Sequence, residues 1–235
     1  MTSPWNKGLT KNTNASVKKI SDTFKRKGLD NFYRWRQDAR KSGLIPNTST
    51  QLVQNDKLAF LFGLILGDGN ISSSRRTELL TITLGTDKPK IWKYASKIVK
   101  NVFNKNPTIR KRRFSNCVDI RLYQNNISKR LSVPLGDRAN VNISIPNWIT
   151  DNSDCLKQLI KGLYEAEASY SIHKKTYTYN FSFSNRNVSL LDLVQKYLQK
   201  NNFHPERRSY AVRLRRKIEA EKFKEFISFR RYPLV

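Results

Sequence analysis

The chain has 235 residues, with 45 Lys and Arg against 18 Asp and Glu, and a formal net charge of +27. This length is enough to bury a core, as one large domain or two small ones. The positive excess favours a polyanionic partner, and nucleic acid fits it best. No apolar run approaches the ~20 residues of a membrane span and no signal peptide opens the chain, so we expect an intracellular protein without a membrane partner.

The few cysteines and histidines of the chain exclude a thiolate zinc site and a disulfide framework. Cys117 and Cys155 are isolated, and the only histidines are His173 and His204. These four residues assemble neither a thiolate zinc site nor a disulfide framework. A metal ion in this protein must therefore be held by oxygen ligands.

Residues 1–50 form a basic segment that is interrupted by Gly8 and Gly28 and ends in the linker-like LIPNTST. We predict a nucleic-acid-binding segment, as either a small folded unit or a basic arm that becomes ordered on phosphates. Either form extends a nucleic-acid footprint, although the aromatic residues have core packing in a small helical unit as an alternative. The candidate contacts are Arg34 and Arg36, with Trp5, Tyr33 and Trp35.

The sequence of residues 51–150 predicts a helix, two strands, a second helix, two more strands and a final helix, in that order. The helix-start signal QNDKLAF leads into the apolar run AFLFGLILGDGNIS, and TELLTITLGT then alternates with the period of a strand. KPKIWKYASKIVKNVF has a helical pattern, NPTIRKRRF and VDIRLYQ form a strand pair, and NNISKRL closes the segment.

Residues 151–235 repeat this order. NSDCLKQL begins a helix that ends in GLYEAEASYS, TYTYNFSFSN alternates as a strand, and NVSLLDLVQKYLQKN is helical. FHPERRSY pairs with AVRLRRK before the helical IEAEKFKEFISF. The predicted fold class is therefore α+β, a pseudo-symmetric pair of αββαββα halves in one chain after the small basic N-terminal segment.

The two halves align at an offset of 99 residues, which places Gly63 on Gly162, Leu64 on Leu163 and Asp68 on Glu167. A glycine at the same place in two apolar helices lets their backbones approach closely. We therefore predict a helix interface at Gly63 and Gly162, with Leu64, Ile65 and Leu66 meeting Leu163 and Tyr164 across it.

Asp68 and Glu167 then emerge side by side at two helix C-termini. The helix dipoles and their mutual repulsion disfavour two anions there. A hard divalent cation with oxygen ligands offsets both effects, so the pair predicts a metal site. Two metal-bound carboxylates fit phosphodiester hydrolysis, which needs an oriented water and charge neutralisation on the phosphate.

The segments FGLILGDGNI and KGLYEAEASYSI resemble the two copies of the motif that names the LAGLIDADG homing endonucleases, and SIPNWITDNSDCLKQLIKGLYEAE resembles the approach to the second copy. The resemblance begins near Leu52 and runs to the C-terminus. Residues 1–50 are similar to small DNA-binding modules attached to some homing nucleases.

The resemblance implies a monomer whose two four-stranded antiparallel sheets form a saddle in the major groove of double-stranded DNA at a long, asymmetric site. The motif helices form the interface between halves, and Asp68 and Glu167 bind Mg²⁺, for which Mn²⁺ substitutes, and cut both strands. Glu167 replaces the usual Asp and Ala168 the usual Gly, which predicts unequal cutting of the two strands.

The family places polar or basic residues near such a site to order solvent and stabilise charge. By position, the resemblance assigns this role to Asp87, Asn185 and Arg138. Asp87 and Asn185 have the alternative of capping the helices that follow them, and Arg138 that of a loop charge.

The strands have one apolar face and one face of Arg, Lys, Thr, Ser and Asn, groups that suit base edges and phosphates. At about eight residues each, the strands of each half span roughly eight base pairs, and the two halves at least ~16. The candidate DNA-binding residues are Arg110, Arg112, Arg121, Arg207, Arg213 and Arg215.

Two other functions remain open from the sequence. The chain could be a maturase-like RNA-binding protein of the same fold that assists splicing, or a DNA-binding regulator that has lost cleavage. Both would tolerate a damaged acid pair, whereas Asp68 and Glu167 together favour the nuclease.

Overall fold

The computed structural model describes residues 4–30, 32–45, 48 and 50–233. The chain divides into two compact units, Met1–Asn47 and Thr48–Val235. The second unit begins three residues before the predicted boundary at residue 51. Asn126 Nδ2 donates to the Thr48 carbonyl at 3.3 Å, and Arg130 Nε donates to the Thr50 carbonyl at 3.0 Å, which ties these residues to the second unit.

The first unit contains helices α1 (Ala15–Arg26) and α2 (Tyr33–Lys41). Asn14 caps α1 by accepting hydrogen bonds from the Ser16 and Val17 amides, and within the two helices only Ala39 is buried. Eleven Lys and Arg against three Asp and Glu make the unit strongly basic. Three aromatic side chains predicted as contacts are exposed, so core packing is not their role: Trp5, Tyr33 and Trp35.

The second unit has the predicted order of helices and strands in each of its two halves. The first half runs α3 (Asp56–Asp68), β1 (Gly69–Ser74), β2 (Thr77–Gly85), α4 (Pro89–Phe103), β3 (Thr108–Lys111), β4 (Cys117–Gln124) and α5 (Ile127–Leu131). A short helix α6 (Asn147–Thr150) precedes the second half, which runs α7 (Ser153–Glu167), β5 (Ala168–His173), β6 (Thr178–Ser184), α8 (Val188–Lys200), β7 (Glu206–Arg208), β8 (Ala211–Leu214) and α9 (Lys217–Phe226). No helix in the described ranges is long and apolar enough to cross a membrane.

Each half contains one four-stranded antiparallel sheet, with strand orders β1-β2-β4-β3 and β5-β6-β8-β7. Cross-strand pairs such as Leu80 with Leu122 and Phe181 with Leu214 are buried on the face beneath the helices. The outer strands are shorter than the predicted eight residues, with four residues in β3 and three in β7. The footprint estimate from strand length therefore applies to β2, β4 and β6, which have nine, eight and seven residues, and not to the four-residue inner strand β8.

The motif helices α3 and α7 pack directly against each other at their glycines, as predicted. A methyl group on Gly63 would lie 2.2 Å from the Leu159 carbonyl oxygen, and one on Gly162 would lie 2.2 Å from the Phe60 carbonyl oxygen. The two Cα atoms face each other across this contact, because either added methyl group would lie 3.0 Å from the opposite Cα. Only glycine permits this approach of two backbones.

The ring of Tyr164 does not lie in the interface between the halves, contrary to the prediction. It packs against Phe181, Phe183 and Phe223 at centroid distances of 4.9, 5.7 and 5.1 Å. These rings belong to β6 and α9, so Tyr164 anchors α7 to the core of its own half. Successive residues of an α-helix point about 100° apart, so the side chain of Tyr164 does not point in the same direction as that of Leu163.

Candidate active site and nucleic-acid interface

Asp68 and Glu167 are the last residues of α3 and α7, and the structure brings these two helix ends together. A methyl group on Gly67 would lie 2.5 Å from the Ala166 Cβ and 3.1 Å from the Glu167 Cγ. The helix ends are thus in contact one residue before Asp68. Both carboxyl groups are partly buried at this junction.

The surroundings of the pair disfavour two ionised carboxylates. Burial and then the nearby Glu167 charge raise the pKa of Asp68 from 3.8 to about 7, against an opposing effect of Lys88. Burial also raises the pKa of Glu167, and the hydrogen bond from Asn185 opposes that rise. A bound cation would remove this penalty, so the pair has the electrostatics of a site for a divalent metal.

The donor chemistry of the site agrees with a hard cation such as Mg²⁺, because both candidate ligands are carboxylate oxygens. The described residues contain no cluster of three or more His, Cys, Asp or Glu side chains that could enclose a metal ion. Further ligands would therefore be water, backbone carbonyls or substrate phosphate. An ion of this kind is typically held where a phosphate completes its shell.

Asn185 contacts the candidate site and also precedes a helix. Its Nδ2 donates to Glu167 Oε1 at 3.2 Å, and its Oδ1 accepts from the Asn187 amide at 2.8 Å. The residue that caps α8 is Asn187, whose Oδ1 accepts from the Leu190 amide at 3.2 Å. Asn185 thus orients the Glu167 carboxylate, whereas the capping role falls to its neighbour.

Asp87 is exposed and is not the cap of α4, because that position is held by Lys88 without a side-chain hydrogen bond. Its Oδ1 folds back over Gly85, 2.3 Å from where a methyl group there would stand. Lys88, which we did not predict, is the residue of this turn whose charge acts on Asp68. The repeat did not single it out, because its equivalent at the offset of 99 residues, Asn187, was not predicted either.

Arg138 lies beside the junction but binds the end of α3 rather than either carboxylate. Its Nη2 donates to the carbonyls of Ile65 at 2.9 Å and Gly69 at 2.6 Å. Its Nη1 is buried without a hydrogen-bond partner among the described residues. The guanidinium thus adds a second hydrogen bond to the Ile65 carbonyl, which already accepts from the Gly69 amide, and opposes the negative end of the helix dipole.

A cleft of about 940 Å³ opens beside the junction and is lined by several of the residues described above. It could admit a sugar-phosphate segment next to Glu167. The residues that line it and matter here are Gly67, Arg138, Glu167, Asn185, Asn187 and Tyr210.

Each sheet has a second face, which we call its open face, opposite the helices. In the first sheet, Thr81 pairs with Arg121 and Arg110 pairs with Asp119, one residue out of phase with the buried Ile82 and Ile120. In the second sheet, Arg213 pairs with Ser182 on the corresponding face. Alternation extends this face to two more predicted residues, Arg112 after β3 and Arg215 after β8.

Each open face also carries one acid that holds an arginine. Asp119 accepts from Arg112 Nε at 3.0 and 3.1 Å and from Thr83 Oγ1 at 2.9 Å. Glu206 accepts from Arg213 Nε at 3.0 Å and from Arg213 Nη2 at 3.1 Å. The Arg213–Glu206 pair is bidentate, and Arg112 is held by Asp119 through Nε and by Thr83 through Nη2, so both guanidinium planes are fixed while Nη1 can still contact a nucleic acid.

Arg207 does not lie on the open face, contrary to its predicted role. It pairs across the sheet with the buried Val212, so its side chain projects to the helix side. There its Nη2 binds Asp192 Oδ1 of α8 at 3.2 Å. Because side chains alternate between the faces of a strand, the next residue of β7, Arg208, lies on the open face, opposite Ala211.

In the first unit, the two predicted arginines differ in their surroundings. Arg36 forms an ion pair with Asp30, whereas Arg34 is exposed on α2, where its sequence neighbours Tyr33 and Trp35 are also exposed. Exposed arginine and aromatic side chains on one short helix suit contact with phosphates and bases.

Three solved structures of the homing endonuclease I-DmoI are similar to this chain. A structure of its mesophilic variants matches with a TM-score of 0.51 and 18% identity over 73% of this chain and 94% of that one. The complex with DNA and Mn matches with 0.51 and 17% over 73% and 96%. A single-residue variant with its target DNA and Mg matches with 0.51 and 18% over 74% and 96%.

No protein-family model and no curated protein matches the chain. At the identities of the structural matches, the likeness establishes the fold. The fold implied by the two motifs is therefore confirmed, with paired motif helices and two four-stranded antiparallel sheets.

Proposed function

We propose that this chain, which has the fold of the homing endonuclease I-DmoI, is a site-specific, metal-dependent endonuclease for double-stranded DNA. The observation that carries the proposal is the junction of α3 and α7. Two partly buried carboxyl groups meet there, and their surroundings favour a cation. The basic open faces on either half supply the complementary surface for a polyanion.

Asp68 and Glu167 would hold Mg²⁺ or Mn²⁺, which when bound neutralises phosphate charge and lowers the pKa of a coordinated water. Asn185 would restrain the Glu167 carboxylate through its 3.2 Å hydrogen bond. Lys88 adds positive charge beside Asp68 and can stabilise the negative charge that develops on a phosphate.

DNA would lie along the open faces of the two sheets. Arg110, Arg121 and Arg215 have side chains available for phosphates or base edges, and the acid-held Arg112 and Arg213 present guanidinium groups of fixed orientation. Arginine in a fixed plane matches the paired acceptors of guanine in the major groove. The two halves differ in sequence, so the site they read is asymmetric.

One chain carries both motif helices, so we infer that it acts as a monomer. The first unit, with its basic α1 and α2 and exposed aromatic side chains, would bind DNA beside the main site. It would lengthen the contact with DNA without adding to the cleavage chemistry.

The proposal is tested by incubating the protein with a randomised duplex library in Mg²⁺ and, separately, in Ca²⁺, then sequencing bound and cut molecules. We expect one enriched motif, bound in both ions and cut in Mg²⁺. D68N and E167Q should bind the same motif without cutting it.

Other outcomes would identify the remaining functions. Enrichment without cutting in any divalent ion would indicate a DNA-binding regulator. Absence of an enriched duplex, with selective binding to a structured RNA in a parallel selection, would indicate a splicing cofactor. Cutting at the wild-type rate by both variants would remove Asp68 and Glu167 from the proposed mechanism.

A further inference from the structure

A continuous path of hydrogen bonds joins the end of α3 to the carboxylate at the end of α7. Asn185 Nδ2 donates to Glu167, and the Asn187 amide donates to Asn185 Oδ1. Asn187 Nδ2 donates to the Arg138 carbonyl at 2.6 Å. The Arg138 guanidinium then donates to the carbonyls of Ile65 and Gly69.

Asn187 is the residue on which this path depends. It is 3% exposed, and its side-chain amide makes four hydrogen bonds. Nδ2 donates to the Arg138 and Val141 carbonyls, while Oδ1 accepts from the Ser189 hydroxyl at 2.6 Å and the Leu190 amide. Two donors and two acceptor positions are the full capacity of an asparagine amide, so aspartate or serine could not reproduce this set.

Only one of the two motif helices, α3, has its C-terminal carbonyls held by an arginine among the described residues. The amide of Gly69 donates to the Ile65 carbonyl, which Arg138 also holds. At the equivalent place in α7, the amide of Ala168 donates to the Tyr164 carbonyl, and no arginine of the described residues donates to that carbonyl. The equivalent of Asn187 in the first half is Lys88, which lacks an acceptor and makes no cap.

We propose that Asn187 and Arg138 are positioning residues that fasten the Asp68 end of α3 to the Glu167 side of the junction and thereby fix the relative placement of the two carboxylates. Arg138 acts by holding backbone carbonyls, and Asn187 acts by holding Arg138. The importance of this placement for metal binding rests on the proposed function.

The physical reason lies in the loop that carries Arg138. It connects the two halves and has no helix or strand between α5 and α6, so its own secondary structure does not fix the guanidinium. Asn187 holds this loop at two carbonyls from a buried position at the start of α8. The Gly136 amide also ties the loop to β1, by donating to the Ile71 carbonyl at 2.9 Å, so removing the two donations of Asn187 should loosen the part of the loop from Arg138 to Val141, and with it the end of α3.

The test uses N187S in the full chain, because serine keeps a neutral cap for α8 while losing both donations. N152S is the matched control, since Asn152 caps α7 at its far end through the Asp154 and Cys155 amides. Hydrogen exchange of the Gly69 and Ala168 amides is followed by NMR without metal. We expect at least tenfold faster exchange of the Gly69 amide in N187S, with Ala168 unchanged and N152S like the wild type at both amides.

Equal acceleration of both amides in N187S would show general loosening and overturn the proposal, as would an unchanged Gly69 amide. If N187S fails to fold, R138Q and R138K are measured on the same amides. Graded acceleration at Gly69, larger in R138Q than in R138K, supports the positioning role, and its absence overturns it.

A second measurement separates this proposal from the proposed function. Binding of Mn²⁺ alone is followed by calorimetry in the wild type, N187S, N152S and D68N. We expect D68N to lose binding, N187S to bind at least fivefold more weakly, and N152S to match the wild type. Equal binding by N187S and the wild type would overturn the proposal alone, whereas binding that persists in D68N would overturn the metal ligands of the proposed function.

Discussion

Asp68→Asn should stabilise the metal-free protein at alkaline pH, because it removes a carboxylate from surroundings that oppose its charge. The pKa of Asp68 is raised from 3.8 to about 7 in the folded state. The folded state therefore holds a proton that the unfolded state has lost between these values, and stability falls as pH rises through this window. The cost is absent below pH 3.8 and complete above pH 7.

The size of the effect follows from the same shift. Three pKa units correspond to about 4 kcal/mol at pH 8, and roughly one unit, or about 1.5 kcal/mol, is already present at pH 5. Partial exposure of the side chain screens these values, so we expect the gain of the variant over the wild type to grow by about 1–3 kcal/mol between pH 5 and pH 8.

The measurement is urea unfolding in EDTA, followed by tryptophan fluorescence, at pH 5 and pH 8. Asp151→Asn is the matched control, because it removes an exposed carboxylate by the same chemical change. Addition of Mg²⁺ at pH 8 should stabilise the wild type and leave the variant unaffected. A pH-independent difference between Asp68→Asn and wild type would refute the electrostatic account of the junction.

Three further predictions concern the interface, the first unit and the open faces. Gly63→Ala and Gly162→Ala should each destabilise the protein by about 1–3 kcal/mol in urea unfolding, since the added methyl group meets backbone. Their double variant should lose less than the sum, because the first change already separates the helices; full additivity would argue against a shared contact. Deleting residues 1–47 should leave a folded protein by circular dichroism with weaker binding to duplex DNA, and loss of folding would contradict the unit boundary. Arg110→Ala should lower the slope of log K against log salt by up to about 0.9, whereas Arg207→Ala should leave it unchanged; the reverse ranking would move the DNA surface.

Local sequence signals were sufficient for the duplicated fold. The apolar run before Asp68 and its copy before Glu167 predict two buried helices, and paired glycines predict their close approach. Period-two alternation identifies strands, and asparagines before each run identify helix starts, as Asn55 and Asn152 confirm. These signals act over a few residues, so they can be read without knowing the tertiary structure.

Long-range geometry was not accessible in the same way. The contact of Asn187 with the Arg138 carbonyl spans 49 residues, and nothing local to either residue indicates it. The face of Arg207 depends on the register of a three-residue strand, which is set by pairing with β8 rather than by its own pattern. A single residue of register reverses the face of every side chain.

The two halves of the junction differ in a way that bears on strand cleavage. Glu167 is one methylene longer than Asp68 and is held by Asn185, whereas no side-chain hydrogen bond to Asp68 occurs among the described residues. Asp68 instead lies at a helix end fastened by Arg138. Two carboxylates with different lengths and supports are expected to serve their two strands at unequal rates.

This difference predicts a nicked intermediate. On a supercoiled plasmid carrying the selected site, nicked circles should accumulate before linear product, and strand-specific end labels should show the same strand cut first in every molecule. Asn185→Ala should slow one strand more than the other, because it frees the Glu167 carboxylate alone. Asn180→Ala, a change on the open face of the same sheet, serves as the control and should affect binding without changing the order of cuts. Direct conversion to linear product, or random choice of the first strand, would mean that the two carboxylates are equivalent despite their different lengths and hydrogen bonds.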